Sequence, residues 1–462
     1  MEQELPSEIT KLIEEAQERF GKSLTELLRW SYQDGEDAPT AVEIENKIRE
    51  WITRIGEDTQ SLVLGHMDRH VRKSRTACPK CGKLVSWKRY ARRRYVTSLG
   101  ELWLERAYYH HGDCHCGWIP LDKRLGLGAS ELSPFVQEIA SHLGSCVPFQ
   151  HAAKFLERYM GIEVSHDTVN ETTVRIGQAL GEEQEAEVER AWREHEPPES
   201  EADTAPDDLY MTADGITFLL PSGQGKEIRV AGVFETEERK TRKGELEIHA
   251  RDIDYFVEYD VESLARTAYV GAAKRGLHDA TRRVVVGDGA HWIWKRIAPM
   301  MSFPDCEQIL DFYHATKYLT QAADSVLGEG SDRSKQWAQQ ACHTLKHEGA
   351  KVTLKLIRAL PVPKNKPPKA ITDAITYFEN NIERMDYPRY RHDGLQIGSG
   401  SVESGVLQVV GDRLNRAGMR WNPDHAEAVA QVRAAIRSDR WDRFWAAYRP
   451  TPRMYRRHAV PN

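Results

Sequence analysis

The sequence predicts a multidomain α/β protein. Three observations predict it. The chain has 462 residues, too many for one ordinary core. Residues 208–310 hold three long β-prone runs, a helical run, then two short apolar runs rich in β-branched residues. The segments on either side carry helical periodicity, broken once by a cysteine-bearing hairpin.

Residues 1–70 form a helical N-terminal region. Ile9, Leu12, Ile13, Ala16 and Phe20 follow a 3.6-residue period, and Val42, Ile44, Ile48 and Ile52 follow it approximately. Residues 71–125 form a basic, zinc-ribbon-like hairpin. Two β-prone runs flank Ser98-Leu99-Gly100, between Cys78-Pro-Lys-Cys81 and Cys114-His-Cys116. Short cysteine spacings let one turn supply two soft ligands to a tetrahedral ion, so Zn²⁺ is expected at Cys78, Cys81, Cys114 and Cys116. The second spacing is tight, which leaves open that His110, His111 or His115 replaces one thiolate.

Residues 131–182 read as a helix-turn-helix. Ser133-Pro134 starts one helix, Gly161 ends the next, and Ser165 caps a third. Val169, Thr173, Ile176 and Leu180 mark that third helix's inner face, and His166, Asn170 and Arg175 are candidates to face DNA. Residues 183–207 are an acidic, Pro-rich linker whose first part has helical composition. Strands are expected at 208–220, 227–236 and 247–259, a helix at 261–276, and strands at 282–287 and 307–310. Three antiparallel strands, a helix and then parallel-type strands is the order of an RNase H-like domain. Its first part spans 208–315, a helical insertion 316–395, its last helix 396–425, and a basic tail 426–462.

Composition narrows the function classes. A net charge of −6 alone argues against nucleic acid, but the distribution does not. Val71 to Tyr95 holds ten Lys or Arg and no acid, and Arg433 to His458 holds eight Arg against Asp439 and Asp442. Such asymmetry suits phosphate contact through chosen surfaces, with Lys88, Arg89, Arg92, Arg93 and Arg94 as the hairpin's candidates. The sequence has no long apolar span, and its acidic start lacks the layout of a signal peptide. A cytoplasmic protein is expected, nucleoid-associated when bound to DNA and without a membrane partner. Cys146, Cys306 and Cys342 are isolated and read as small apolar residues.

Three acids carry the candidate chemistry. Asp214 ends the run Leu209 to Ala213, Asp288 ends Val284-Val-Val-Gly, and Glu403 sits in the first turn of a helix. Hard cations want carboxylate oxygens, and two ions about 4 Å apart drive in-line displacement at phosphorus. Either Asp alone is also an ordinary turn residue, since Gly follows each. Glu403 shares a helical face with Leu407, Val410 and Leu414, where an unpaired acid is costly. Asp311 caps the helix after the fifth strand, with His314 three residues on; the two read either as a helix cap with a surface histidine or as a pair that positions groups beside the ions.

These motifs together resemble prokaryotic insertion-sequence transposases of the Asp-Asp-Glu class, in the Mutator-like branch and most like Kra-type elements. The resemblance rests on the Cys-Pro-x-Cys-Gly knuckle, Thr212-Ala-Asp-Gly215, Val286-Gly-Asp-Gly289, Asp311-x2-His314 and Gly398-Ser-Gly-Ser-Val-Glu-Ser404. It implies catalytic roles for Asp214, Asp288 and Glu403, holding two Mg²⁺ or Mn²⁺ ions. It also implies an RNase H-like domain with a helical insertion, and marks Asp311 and His314 as a signature pair. The expected partners are element ends and target DNA, with the protein a homo-oligomer on DNA. A nuclease that cuts without joining, and a DNA-binding regulator with an inert catalytic domain, are the competing readings.

Overall fold

A computed structural model describes residues 6–32, 38–240, 246–302, 305–362, 367–398 and 400–450. The protein is a mixed α/β chain with two sheets, one of four strands and one of five. It divides into two compact units. The first comprises Met1–Gly144, Pro148–Thr172 and Trp445–Asn462, and the second Ser145–Val147 and Thr173–Phe444.

The first unit opens with two long helices, α1 (Ser7–Ser31) and α2 (Ala41–Val71). Thr40 starts α2 by a reciprocal cap. Its side chain accepts from the Glu43 N–H, and the Glu43 carboxylate accepts from the Thr40 N–H at 2.8 Å. The sheet follows as β1 (Arg75–Ala77), β2 (Leu84–Thr97), β3 (Gly100–His111) and β4 (Cys116–Trp118), antiparallel throughout. The β2–β3 hairpin turns at Ser98-Leu99, as expected. In β3 the alternation is clean: Glu101, Trp103 and Glu105 face water, while Leu102, Leu104 and Arg106 are buried. Leu102 and Leu104 pack with Tyr95 and Leu127, and Leu64 of α2 closes that core. The short α3 (Pro120–Leu125) brings Asp122 beneath the hairpin.

Three helices come next: α4 (Pro134–Cys146), α5 (Phe149–Met160) and α6 (His166–Glu194). Ser133 and Ser165 cap α4 and α6, accepting from Val136 N–H at 3.2 Å and Thr168 N–H at 3.0 Å. Gly161 ends α5 in the left-handed region at φ 67°. The stretch expected as linker from 183 is helical as far as Glu194, because its Glu and Ala residues suit a helix and only the prolines beyond do not.

The second unit is built on β5 (Asp208–Leu219), β6 (Gly225–Lys240), β7 (Leu246–Glu258), α7 (Val261–Lys274), β8 (Arg282–Gly287), α8 (Ala298–Met301) and β9 (Glu307–Leu310). The strand order is β7-β6-β5-β8-β9. The first three strands are mutually antiparallel, and β8 and β9 run parallel to β5. Leu209, Met211 and Ala213 pack on Leu264, Ala265 and Ala268 of α7, together with Val285. Thr212, Asp214 and Ile216 therefore point to the opposite face.

The helical insertion is α9 (Phe312–Leu327), α10 (Asp332–Glu348), α11 (Ala350–Arg358), α12 (Lys369–Asn381) and α13 (Tyr387–His392). The chain then returns as α14 (Gly400–Val406), which packs on β5 and β6. A π-helical turn, Leu407–Gly411, leads into α15 (Asp412–Leu414), α16 (Pro423–Arg437) and α17 (Arg440–Ala447). That turn corrects the expected stripe. The wider π turn breaks the 3.6-residue period, so Leu407 is 55% exposed while Val410 and Leu414 are buried.

Two arginines of the basic tail turn inward. Arg433 is buried and donates to the Val409 carbonyl at 2.8 Å and the Ser145 carbonyl at 2.9 Å. Arg440 donates to Gln184 Oε1 at 2.8 Å and lies over the Phe256 ring. These arginines cap carbonyls within the second unit and do not form a phosphate-facing surface. The residues from 451 on lie outside those described. Among the described residues, no helix is long and apolar enough to cross a membrane.

Candidate functional site

The parallel register of the five-stranded sheet brings the aspartates together. Thr212 pairs with Val286, and Val286 pairs with Ile309. Two residues further along these chains stand Asp214, Asp288 and Asp311. Adjacent strands lie roughly 4.8 Å apart, so the three residues hold matching positions on three neighbouring chains, Asp288 and Asp311 just past the ends of β8 and β9. The ladder continues into the row, since Asp311 N–H donates to the Gly287 carbonyl at 2.7 Å.

Asp214 is not at a strand end, as the sequence suggested. β5 runs on to Leu219, with Asp214 paired to Val230 of β6. Only its parallel pairing with β8 stops before Asp214, at Thr212. The turn reading therefore fails for Asp214 and holds for Asp288, whose Oδ1 accepts from the Ala290 N–H at 2.9 Å. Asp214 and Asp288 are half-buried, whereas Asp311 is 1% exposed. Asp311 caps α9, accepting from the His314 N–H at 2.5 Å.

Glu403 lies in α14, and its side chain is outside the described residues. The helix packs on the sheet face that carries Asp214. A side chain at Gly411 would stand 3.3 Å from Ile216, two residues along from Asp214 on the same face. The approach upstream is equally tight. The Phe312 N–H donates to the Ile397 carbonyl at 2.9 Å, and the Tyr210 hydroxyl accepts from the Gln396 N–H at 3.1 Å.

Sequence reasoning missed the tyrosines that the insertion supplies. Tyr377 of α12 donates to the Asp288 carbonyl at 2.7 Å and stacks on Tyr318 at 4.0 Å. His314 stands 6.1 Å from the Tyr377 ring. Burial holds the Tyr377 phenol far above its ordinary value, and Tyr318, Asp288 and Asp311 add to the effect, so it stays a neutral donor. Gly289, at φ 99°, lets this ring in: a Cβ there would stand 3.0 Å from a Tyr377 ring carbon. No spacing in the sequence links residue 377 to 288.

The hairpin unit carries a second constellation. Cys78, Cys81, His111 and Cys114 place their donor atoms within 4.8 Å of one another, a set that could hold a metal such as zinc. Cys78 and Cys81 lie on the β1–β2 knuckle, where the Cys78 N–H donates to the Lys83 carbonyl at 2.9 Å and Gly82 turns at φ 75°. His111 ends β3, with Nδ1 3.5 Å from Cys81 Sγ and Nε2 3.5 Å from the Asp113 carboxylate. A carboxylate behind the ring fixes which nitrogen faces the cluster. Cys116, expected as the fourth ligand, opens β4 opposite His111 and sits beside Cys78 outside the compact set. His111 takes its place. His115 is exposed in the turn at φ 46°, and His110 lies near the Tyr108 ring.

The thiols lie close enough to influence one another's ionisation. Burial opposes ionisation of Cys78, but the Lys80 and Cys81 N–H groups, with the Cys81 and His111 side chains, bring its thiol to about 6. Cys81, burial and Cys78 push Cys114 up to about 11. One thiolate is tolerated and the next is resisted, until a positive ion removes the repulsion.

The candidate DNA-facing residues divide. Lys88, Arg89 and Arg92 are exposed on β2. Arg94 pairs with Glu101 at 2.6 Å. Arg93 points inward, donates to the Ser130 carbonyl and lies 3.9 Å from buried Asp122. On α6, His166 is exposed beside Asp167 at 3.3 Å, and Asn170 is half-buried, with its side-chain oxygen lacking a hydrogen-bond partner. Arg175 is nine residues beyond His166 on the helix, about half a turn away in angle, so the two do not share a face.

The model of the family described as Uncharacterised protein family (UPF0236) matches residues 38–443. A Streptococcus gallolyticus protein named "UPF0236 protein in vanSb 3'region" is 24% identical over 333 residues, covering 70% of this chain and 67% of its own length.

Proposed function

We propose a function for a chain that belongs to the UPF0236 family: a transposase of the Asp-Asp-Glu class, binding the ends of its own element, cutting strands and joining them to target DNA. The observation that carries this reading is the row of Asp214, Asp288 and Asp311 at matching positions on neighbouring chains of the sheet, with the Glu403 helix packed on the same face. The strand order β7-β6-β5-β8-β9, with α7 on one face, supports an RNase H-like domain. The long helical segment between β9 and α14 supports an insertion into it.

The donor type is the one hard divalent ions take. The donors are carboxylates, two of them half-open to solvent, on a rigid sheet. Asp214, Asp288 and Glu403 would hold two Mg²⁺ or Mn²⁺ ions. Bound there, the ions supply activation of the attacking hydroxyl and charge stabilisation at the leaving oxygen. Asp311 holds the start of α9, and Tyr377 fixes the Asp288 backbone, so both keep the row in place. The Cys78, Cys81, His111 and Cys114 set fits a structural zinc that shapes the hairpin. The hairpin and the α4–α6 helices, read as a helix-turn-helix, would hold DNA.

The test uses labelled DNA from the gene's own flanks with Mg²⁺, scoring cleavage, strand transfer and gel-shift binding. Asp214→Asn, Asp288→Asn and Glu403→Gln should each lower cleavage by on the order of a thousandfold or more, while binding survives. Cleavage without joining would convert the reading to a nuclease. Normal cutting and joining by Glu403→Gln would remove it from the ligand set.

A further inference from the structure

The outer face of the hairpin carries more than positive charge. Tyr90, Arg92 and Arg94 of β2 share a face with Trp103 and Glu105 of β3, because Arg92 pairs with Glu105 and Arg94 with Trp103. A bulge between Trp87 and Arg89 keeps Trp87 on that face, 5.4 Å from Tyr90. Three large rings stand open to water there: Trp103 is 56% exposed, Tyr90 40% and Trp87 39%. Each ring has a cation beside it. Arg72 lies over Trp87 at 5.6 Å and Tyr90 at 5.5 Å, and Arg92 lies over Trp103 at 5.3 Å.

A partner that offers only phosphates would use the arginines and leave the rings in water. In a duplex the flat faces of the bases are already stacked on each other, so rings gain little there. Unpaired bases present π-faces and a phosphate chain together, and aromatic rings interleaved with cations match both. The local charge favours an anionic strand, with no acid between Val71 and Tyr95. Glu101 and Glu105, the acids facing these strands, are each partnered by an arginine, at 2.6 and 3.6 Å.

We infer that this face binds single-stranded DNA, stacking unpaired bases on Trp87, Tyr90 and Trp103 while Arg72, Lys88 and Arg92 hold the phosphates. The choice of DNA rests on the function proposed above. Such strands arise wherever an element end is frayed or nicked. The basic run is therefore a base-stacking surface and not solely a phosphate contact, and its selectivity lies in unpaired against paired structure, not in sequence.

The experiment is fluorescence anisotropy on the full chain, with its zinc retained and no other divalent ion added. The probes are a labelled oligo-dT of roughly 20 nucleotides and a blunt duplex of equal length. Trp103→Ala and Tyr90→Ala should each weaken oligo-dT binding roughly 5- to 100-fold, and Trp103→Phe should stay within about threefold of wild type. Duplex affinity should change by less than about twofold in the same variants. A wild-type protein that does not bind oligo-dT, or equal losses on both probes, would overturn the inference. A second measurement needs no variant. Photocrosslinking of an iodouracil-substituted oligonucleotide should label peptides holding Trp87, Tyr90 or Trp103, and labelling elsewhere alone would also overturn it. No cleavage is scored, so inert aspartate variants and ring-independent binding are separate failures.

Discussion

Arg92, Arg93 and Arg94 are neighbours in sequence and have different jobs. Strand alternation turns Arg92 and Arg94 outward and Arg93 inward, toward Asp122. Asp122 is the buried anchor: Arg106 Nη1 donates to both its oxygens at 2.7 Å, with the two side chains 1–2% exposed. Removing one partner strands the other's charge, so Asp122→Ala should cost about 3–5 kcal/mol in denaturant unfolding. An Arg93→Ala change therefore tests stability and not DNA contact. Asp311→Asn belongs at this scale too. It keeps an acceptor for the His314 N–H but removes a charge from the row, so cleavage should fall roughly 10- to 100-fold with the fold intact by circular dichroism. Asp214 and Asp288 were legible in the sequence as acids following β-prone runs, although β5 continues beyond Asp214. Their alignment with Asp311 was not, because register between strands is set by packing across the sheet and leaves no mark on spacing.

At the scale of elements, the knuckle, hairpin and capped helices were written locally. Cys-x2-Cys, Ser98-Leu-Gly100, Ser133-Pro134, Gly161 and Ser165 each fix a few dihedrals by nearby chemistry, and the structure places a turn or cap at every one. The metal set was only half-local. Cys78 and Cys81 share a knuckle, but the choice between Cys116 and His111 depends on how β3 and β4 pair. Metal analysis should find about one zinc per chain in wild type and Cys116→Ala, and far less in His111→Ala and Cys114→Ala. Equal retention in His111→Ala would return the fourth position to Cys116. Breaks in regular period were invisible: nothing in Leu407–Gly411 announces a π turn, which follows from how this helix seats on the sheet.

At the scale of the whole molecule, the order of strands and helices was legible, since apolar runs of different period follow one another along the chain. The tail was not, because arginines that cap buried carbonyls look in sequence like arginines awaiting phosphate. One half-buried acid adds a pH response. Burial, then Glu427, pushes Glu258 of β7 up to about 7 from an ordinary value of 4.5. The folded state thus holds this proton more tightly than the unfolded chain. The contribution to stability is fully present below about pH 4.5 and is lost as pH rises to about 7. Glu258→Gln should flatten that fall and raise stability at pH 8 by on the order of 1–3 kcal/mol, read from thermal or urea melts across pH. A fall of the same size in the variant would locate the titration elsewhere. The separation of α14 from β5 along the chain has a consequence during synthesis. A ribosome adding about 5–20 residues each second makes Glu403 roughly 10–40 s after Asp214. For the later half of that interval, once Asp311 has been made, the nascent sheet has its aspartates but not the helix that covers them. A chain released inside the insertion keeps an open apolar face, a substrate for chaperones and proteases, and lacks the last acid of the proposed site. On the proposed reading, a copy truncated there could neither cut nor join DNA.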